Sequence, residues 1–397
     1  MAARHGCGEH TERPALDIAQ IFDRFPAALE TLRLTPEQAK AVGAIRACRT
    51  ARLGGRVLVC SSCGYQSPIY NSCRNRHCPK CQALAQGRWV EARMAHILPV
   101  PYFHVVFTVP EQLRLLIHRN RRVFFDLIFS AASGSLMTLA ADPRHLGARI
   151  GLTAVLHTWT RDLNFHPHLH TIVTGGGLTL DRKWLALRSR RFLFPVKALS
   201  RLFRGKLLAA VKRVYTKGQL RTDGPLAHLA DPETFQLLVD SLYGKEWVVY
   251  SKRPFAGPAQ VYAYLGHYTH RVGISNHRLL DIGDTHVRFK TRFGKTACLR
   301  GEEFVRRFLL HVLPHRFVKI RHYGLMASVN AQALDALRAT FPTSIAASPP
   351  AQARTRSPDS TPDLDLCPQC GRATLTQQTL LPSRSPPSLS SALPRPA

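Results

Sequence analysis

Apolar residues recur every three or four positions from Pro14 to Ala51, first in "ALDIAQIFDRFPAALETL" and again in "EQAKAVGAIRACRTARL". This period predicts helices, and Thr35-Pro36 supplies a cap and a first turn for the second run. "QALAQGRWVEARMAHIL" predicts another helix, stopped by Pro99 and Pro101. β-Branched and aromatic residues then take over. "YFHVVFTVP" (Tyr102 to Pro110), "RIGLTAVLHTW" (Arg149 to Trp159) and "HLHTIVTGGG" predict three strands. Between the first two lies the most apolar long run, Val123 to Ala141; its Asp126, serines and threonine favour a buried helix over a membrane span.

Further on, "FRGKLLAAVKRVYTKG" and "PETFQLLVDSLYG" predict helices and "EWVVYSKRPF" a strand. "PAQVYAYLGHYTHRVG" (Pro258 to Gly273) has proline in its first turn and glycine at its end, as helices do. "THVRFKTRF" alternates Val287, Phe289 and Phe293 with Arg288, Lys290 and Arg292, which predicts a strand with one basic face. "EEFVRRFLLHVLP" predicts a helix with acidic residues at its start. After Thr340 proline, serine and alanine dominate; such a segment buries too little apolar surface to offset its ordering entropy, so a disordered tail is expected.

Charge changes the picture. The 397 residues include 55 Lys+Arg against 25 Asp+Glu, a formal net charge of +30. An excess of this size produces a long-range positive field, and its usual partner is nucleic acid. No basic amphipathic anchor and no apolar signal-peptide core stand out, so an intracellular protein with no membrane partner is expected. In a reducing compartment, ten cysteines suggest metal binding before disulfides.

The metal signal is "CSSCG" followed by "NSCRNRHCPKCQ". Cys60, Cys63, Cys78 and Cys81 form two C-x2-C knuckles, which together complete a tetrahedral thiolate shell for a structural Zn²⁺. Cys73 and His77 are spare ligands. Arg74 and Arg76 beside them suit contact with DNA phosphates, or form a solvated face. A lone "CPQCG" at Cys367 and Cys370 offers two ligands without a partner pair.

In "NFHPHLHTIVTGGG" a strand would point His168 and His170 to one face, where they could chelate one cation; His166 has the right parity but Pro167 intervenes. For an isolated H-x-H, structural histidines are the simpler reading. The pair Tyr264 and Tyr268, four apart on a predicted helix, shares a face. A tyrosine hydroxyl attacks phosphorus competently when a cation withdraws charge from the phosphate.

H-hydrophobic-H on a strand, then Y-x3-Y on a helix, is the signature of HUH endonucleases with two tyrosines. The zinc segment, "PVPYFHVVFTVP", "HPHLHTIVTGGGL", "YLGHYTHRVGISNHRLL" and "HVLPHRFVKIRHYG" together resemble, in this order, rolling-circle insertion-sequence transposases of the IS91 type, over about residues 15–330. The resemblance implies an α+β fold: a helical and zinc-binding region over 1–95, a ferredoxin-like antiparallel HUH core over 96–330 and the tail over 331–397. It implies that His168 and His170 hold a catalytic Mg²⁺ or Mn²⁺, with a third ligand among His166, His104, His267 and Asp162. Tyr268, or else Tyr264, would attack single-stranded DNA at transposon ends and targets, leaving a 5′-phosphotyrosine and a free 3′-OH. Arg271, Arg278, Arg288, Lys290 and Arg292 could track phosphates. A bacterial cytoplasmic, nucleoid-associated protein follows. A replication initiator or relaxase, and a non-catalytic zinc DNA-binding protein, are the alternatives.

Overall fold

Among the described residues three apolar clusters organise the fold, and strand parity decides which sheet residues enter them. A computed structural model describes residues 16–94, 97–188, 192–252, 266, 273–341, 366–372 and 375–382. The largest cluster lies under one face of a sheet. Its strands are β3 (Tyr102–Thr108), β4 (Arg149–Trp159), β5 (Phe165–Leu178), β6 (Trp184–Ala186), β7 (Val249–Lys252) and β11 (Ile320–Gly324). Their order is β11-β4-β5-β3-β7, with β6 added beside β5, and every pairing is antiparallel.

Phe103, Val105 and Phe107 on β3, Leu152, Ala154 and Leu156 on β4, and Leu169 and Val173 on β5 all belong to this cluster. The cover comes from Phe124, Phe125, Ile128 and Phe129 of α6 (Arg121–Ala141) and Leu199, Phe203, Leu207 and Val211 of α7 (Val196–Thr216). The apolar run Val123 to Ala141 is thus a core helix. It is long and apolar enough to cross a membrane by length and composition, but 61% of that stretch is buried.

The alternate residues form the other face. At one end Tyr102, Val155 and Ile172 pack with Leu334 and Leu337 of α10 (Ala331–Ala339) into a smaller cluster. At the other end the same parity delivers His104, His157, His168 and His170, because 157 pairs with 168 and 106 with 170. The chemistry is therefore concentrated on the uncovered end of the sheet.

The remaining cluster joins distant parts of the chain. Helices α1 (Ile18–Arg24), α2 (Pro26–Thr31) and α3 (Pro36–Ala47) contribute Ile18, Phe22, Phe25 and Ile45. Asp17 and Thr35 close capping boxes with Gln20 and Gln38, as the cap at Thr35 predicted. These helices pack on Val287 and Phe289 of β9 (His286–Lys290) and on Phe304 and Phe308 of α9 (Gly301–Leu309), with Phe22 edge-on to Phe308 at 5.6 Å. β9 lies between β8 (Leu279–Ile282) and β10 (Thr296–Arg300). A boundary at 95 therefore divides a shared core rather than separating two.

The remaining sheet is small: β1 (Gly55–Cys60) lies between β2 (Gln66–Tyr70) and β12 (Leu375–Leu380). Two expectations change here. The region after 331 contains α10 and β12, so it is not wholly a structureless tail. The strand expected through Phe293 ends at Lys290, because Phe293 (φ 53°) and Gly294 (φ 74°) turn the chain into β10. The basic face of β9 is present, with Arg288 and Lys290 exposed and Val287 and Phe289 buried.

Candidate active site and metal-binding clusters

The histidine end of the large sheet forms the floor of a cleft of about 1310 Å³. His157, His168 and His170 each direct a ring nitrogen to one point, all within 4.8 Å of one another. His157 is the third candidate ligand, and the sequence did not single it out. It sits on β4 directly opposite His168. His104 faces His170 with parallel rings, its Nε2 2.8 Å from His170 Nδ1. This contact suits a positioning role: when His170 Nδ1–H donates to His104, the Nε2 lone pair of His170 is left for a cation. His168 is held in the same way, its Nδ1–H donating to the His166 carbonyl at 2.7 Å.

Burial lowers the pKa of His168 and of His104 to about 4 each, and that of His170 well below its ordinary value. All three are neutral at pH 7, which is the state that binds metal. His166 falls in the cleft wall outside the trio, and Asp162 also lines the wall. His267, Tyr264, Tyr268 and Arg271 lie outside the described residues. Their neighbours do not. Lys252, before that segment, and Gly273, after it, both line the cleft. Within it, a Cβ at Gly266 would come 2.4 Å from Val90 Cγ2 of α4 (Gln82–Met94), so the chain there lies hard against that helix.

The cleft is basic and aromatic. Arg161, Lys252, Arg278, Arg292 and Lys295 line it with Trp159, Tyr250 and Phe293, and Asp162 is the one carboxylate among its described lining residues. Phe293 is 93% exposed at the tip of the β9–β10 hairpin. Two of the expected phosphate-binding arginines have other work. Arg278 donates to the carbonyls of Arg161, Gly273 and Lys290 at 2.5, 3.2 and 2.7 Å. Arg76 donates to those of Phe317 and Pro314 at 2.5 and 3.2 Å. Both brace the backbone. Arg74, Arg288, Lys290 and Arg292 remain exposed.

The cysteines overturn the single site expected from Cys60, Cys63, Cys78 and Cys81. They form two clusters, Cys48-Cys73-Cys78-Cys81 and Cys60-Cys63-Cys367-Cys370. The cause is the β1–β2 hairpin. Cys60 and Cys63 lie at its turn, whereas Cys48 and Cys73 flank its open end, where Arg49 N–H donates to Asn71 O. Strands rise about 3.3 Å per residue, so the six residues of β1 hold the two ends roughly 17 Å apart. In the first cluster Cys81 Sγ lies 3.4 Å from Cys48 Sγ and 3.6 Å from Cys73 Sγ. A tetrahedral Zn²⁺ with 2.3 Å bonds places its sulfurs about 3.8 Å apart, so the donors fit. His77 is no spare ligand, since its Nε2 accepts from Leu313 N–H at 3.1 Å.

A family model described as "Transposase zinc-binding domain" (Zn_Tnp_IS91) matches residues 19–109, and one described as "Putative transposase" (Y2_Tnp) matches 151–333. The chain is 43% identical to "Putative transposase y4qJ" of Sinorhizobium fredii, over 90% of this chain and 94% of that protein. It is 28% identical to "Transposase for insertion sequence element IS801" of Pseudomonas savastanoi pv. phaseolicola, over 80% of this chain and 77% of that protein. No solved structure matches.

Proposed function

The chain belongs to the IS91 family of transposases, and from that premise we propose that it nicks and joins single-stranded DNA through a tyrosine in a rolling-circle transposition. The observation that supports this most is the make-up of the cleft: its floor holds the three histidines, and its wall includes Lys252 and Gly273, the residues on either side of the stretch 253–272 that contains Tyr264 and Tyr268. An antiparallel sheet with helices on one face and histidines on the other agrees with an HUH core of ferredoxin-like type.

His157, His168 and His170 would hold a divalent cation, which supplies Lewis-acid polarisation of the scissile phosphate. Imidazole donors are softer than Mg²⁺ prefers, so Mn²⁺ is favoured over Mg²⁺. The oxygen of Tyr268, or of Tyr264, attacks phosphorus and loses its proton to solvent. The bond to the 3′ oxygen breaks, and that oxygen takes a proton to become a free 3′-OH. The 5′ phosphate stays on tyrosine, so the bond energy is kept and no nucleoside triphosphate is needed. Attack by a 3′-OH reverses the step and joins strands. Two tyrosines allow a second cleavage while the first end is held. Arg292, Lys295 and Lys252 neutralise the backbone, and the exposed Phe293 and Tyr250 offer faces for unpaired bases.

The test is incubation of the protein with labelled single strands from the element's ends and Mn²⁺. A covalent adduct is expected from wild type and none from Tyr264→Phe/Tyr268→Phe. Its absence from wild type would leave a zinc protein that binds DNA without cutting it.

A further inference from the structure

The second cysteine cluster joins parts of the chain that are 304 residues apart, with Cys63 Sγ 3.6 Å from Cys367 Sγ and Cys60 Sγ 3.7 Å from Cys370 Sγ. None of these cysteines is in a disulfide. Three independent features make the arrangement more than proximity.

First, the two pairs have the same backbone. In "CSSCGY" Gly64 N–H donates to Cys60 O at 3.0 Å and Cys60 N–H to Tyr65 O at 2.9 Å. In "CPQCGR" Gly371 N–H donates to Cys367 O and Cys367 N–H to Arg372 O, both at 2.8 Å. Gly64 (φ 74°) and Gly371 (φ 70°) occupy the same left-handed position. These are two matching knuckles that face one point, as a tetrathiolate site requires.

Second, the strand that follows the second knuckle is in register with the strand that precedes the first. β12 pairs with β1 from Cys60↔Leu375 to Gly55↔Leu380, and Arg56 Nη1 donates to Gln377 Oε1 at 3.0 Å. At the far end Gly54 leaves room for it: a Cβ there would lie 2.6 Å from Leu380 O.

Third, apolar burial does not hold this strand. β12 reads Leu-Thr-Gln-Gln-Thr-Leu with its four central residues exposed, and no residue of β1, β2 or β12 except Cys60 belongs to the buried core. A three-stranded sheet without a hydrophobic face needs another fastening.

We propose that Cys60, Cys63, Cys367 and Cys370 bind a second Zn²⁺, separate from that of the Cys48 cluster, and that this ion clasps the C-terminal strand onto the N-terminal module. Four thiolates in tetrahedral array select zinc over Mg²⁺ or Mn²⁺. Two of the four ligands, Cys367 and Cys370, lie outside the matched zinc-binding domain, and the clasp does not depend on the nicking reaction.

Metal analysis of the purified full-length protein should give two zinc ions per chain, and one for Cys367→Ser/Cys370→Ser. Co²⁺ substitution should show thiolate charge-transfer absorption that halves in the same variant. A site for a sequence-specific protease, placed between residues 345 and 360, provides a second readout. After cleavage the C-terminal fragment should co-elute with the rest of the protein until a chelator is added, and should separate at once in the serine variant. One zinc in wild type, two in the variant, or a fragment that leaves metal-loaded wild type would overturn the proposal. Iron in place of zinc would overturn the choice of ion.

Discussion

Replacing His157, His168 or His170 by alanine is expected to lower metal-dependent strand cleavage by about 100-fold or more, because each change removes one converging nitrogen. His104→Ala should cost less, roughly 10- to 100-fold, and excess Mn²⁺ should recover much of it, because in the proposed site His104 stands outside the converging trio and positions His170. Cleavage rates across an Mn²⁺ titration separate the two classes. A His157 variant that cleaves normally would return the third ligand to Asp162, His166 or His267. The H-x-H pair was legible because parity along one strand needs only local spacing. His157 was not, because its place beside His168 depends on pairing between β4 and β5. Cys48 was missed for a similar reason: it caps α3 and meets its partners only through the β1–β2 fold-back. The charge of Arg76 and Arg278 marks them as candidates for phosphate contact, and charge does not show the backbone carbonyls that each also holds.

His311 gives a residue-scale prediction about stability. Buried between Thr158 and the Leu163 carbonyl, it has its pKa lowered to about 3 by that burial. Its unfolded value is near 6.5, so below that pH unfolding takes up a proton. Its contribution is present above pH 6.5 and is lost as pH falls toward 3. The loss should reach about 1 kcal/mol by pH 5.5. Urea midpoints at pH 7.5 and 5.5 check this, with His311→Gln as the comparison; a variant with the same pH dependence as wild type would contradict it.

At the scale of elements, the β9–β10 hairpin presents the exposed Phe293 and the cations Arg292 and Lys295 to the cleft, while Arg288 and Lys290 are exposed along β9 outside the cleft lining. Phe293→Ala should weaken single-strand binding by roughly 5- to 100-fold, the range of one base stack, and leave duplex binding nearly unchanged. Replacing Arg288, Lys290 and Arg292 by glutamine should instead reduce the slope of log affinity against log salt, by about 0.7 for each phosphate no longer neutralised. Fluorescence anisotropy with both DNA forms and a salt series distinguishes stacking from charge. The hairpin shows what periodicity can and cannot give. Alternation located β9 and its two faces correctly, but the same alternation carried Phe293 along as an inward residue. The left-handed Phe293-Gly294 turn moved it outward, and only the glycine in "RFGK" could have signalled that. β12 was hidden by its composition: "LTQQTL" has no apolar face to read, and its place comes from pairing with β1 and from the knuckle before it.

At the scale of the whole molecule, the zinc-bearing N-terminus is not an appendage. Ile18, Phe22, Phe25 and Ile45 share a core with residues 274–312, and Cys78 is buried in the same cluster. A fragment of residues 1–95 would expose those side chains, so it should be aggregation-prone and show poor amide dispersion even with zinc. A well-folded fragment would contradict the shared core. Cys78 thus shares a cluster with Ile274, which lines the cleft, while Arg76 holds the carbonyls of Pro314 and Phe317 and α4 lies against Gly266. The net charge of +30 adds a field that draws any nucleic acid. In the proposed function, discrimination between single and double strands would rest on the cleft.

The central claim is that a tyrosine of the 258–273 segment takes the 5′ side of a cut single strand. The most direct test labels one oligonucleotide at its 5′ end and an identical one at its 3′ end, then adds protein and Mn²⁺. The account predicts that the 3′ label becomes bound to protein and that the 5′-labelled piece is released with a 3′-OH that a polymerase extends. Peptide mapping should find the nucleotide on Tyr268 or Tyr264. A 5′ label on the protein, or cleavage without any covalent adduct, would contradict it.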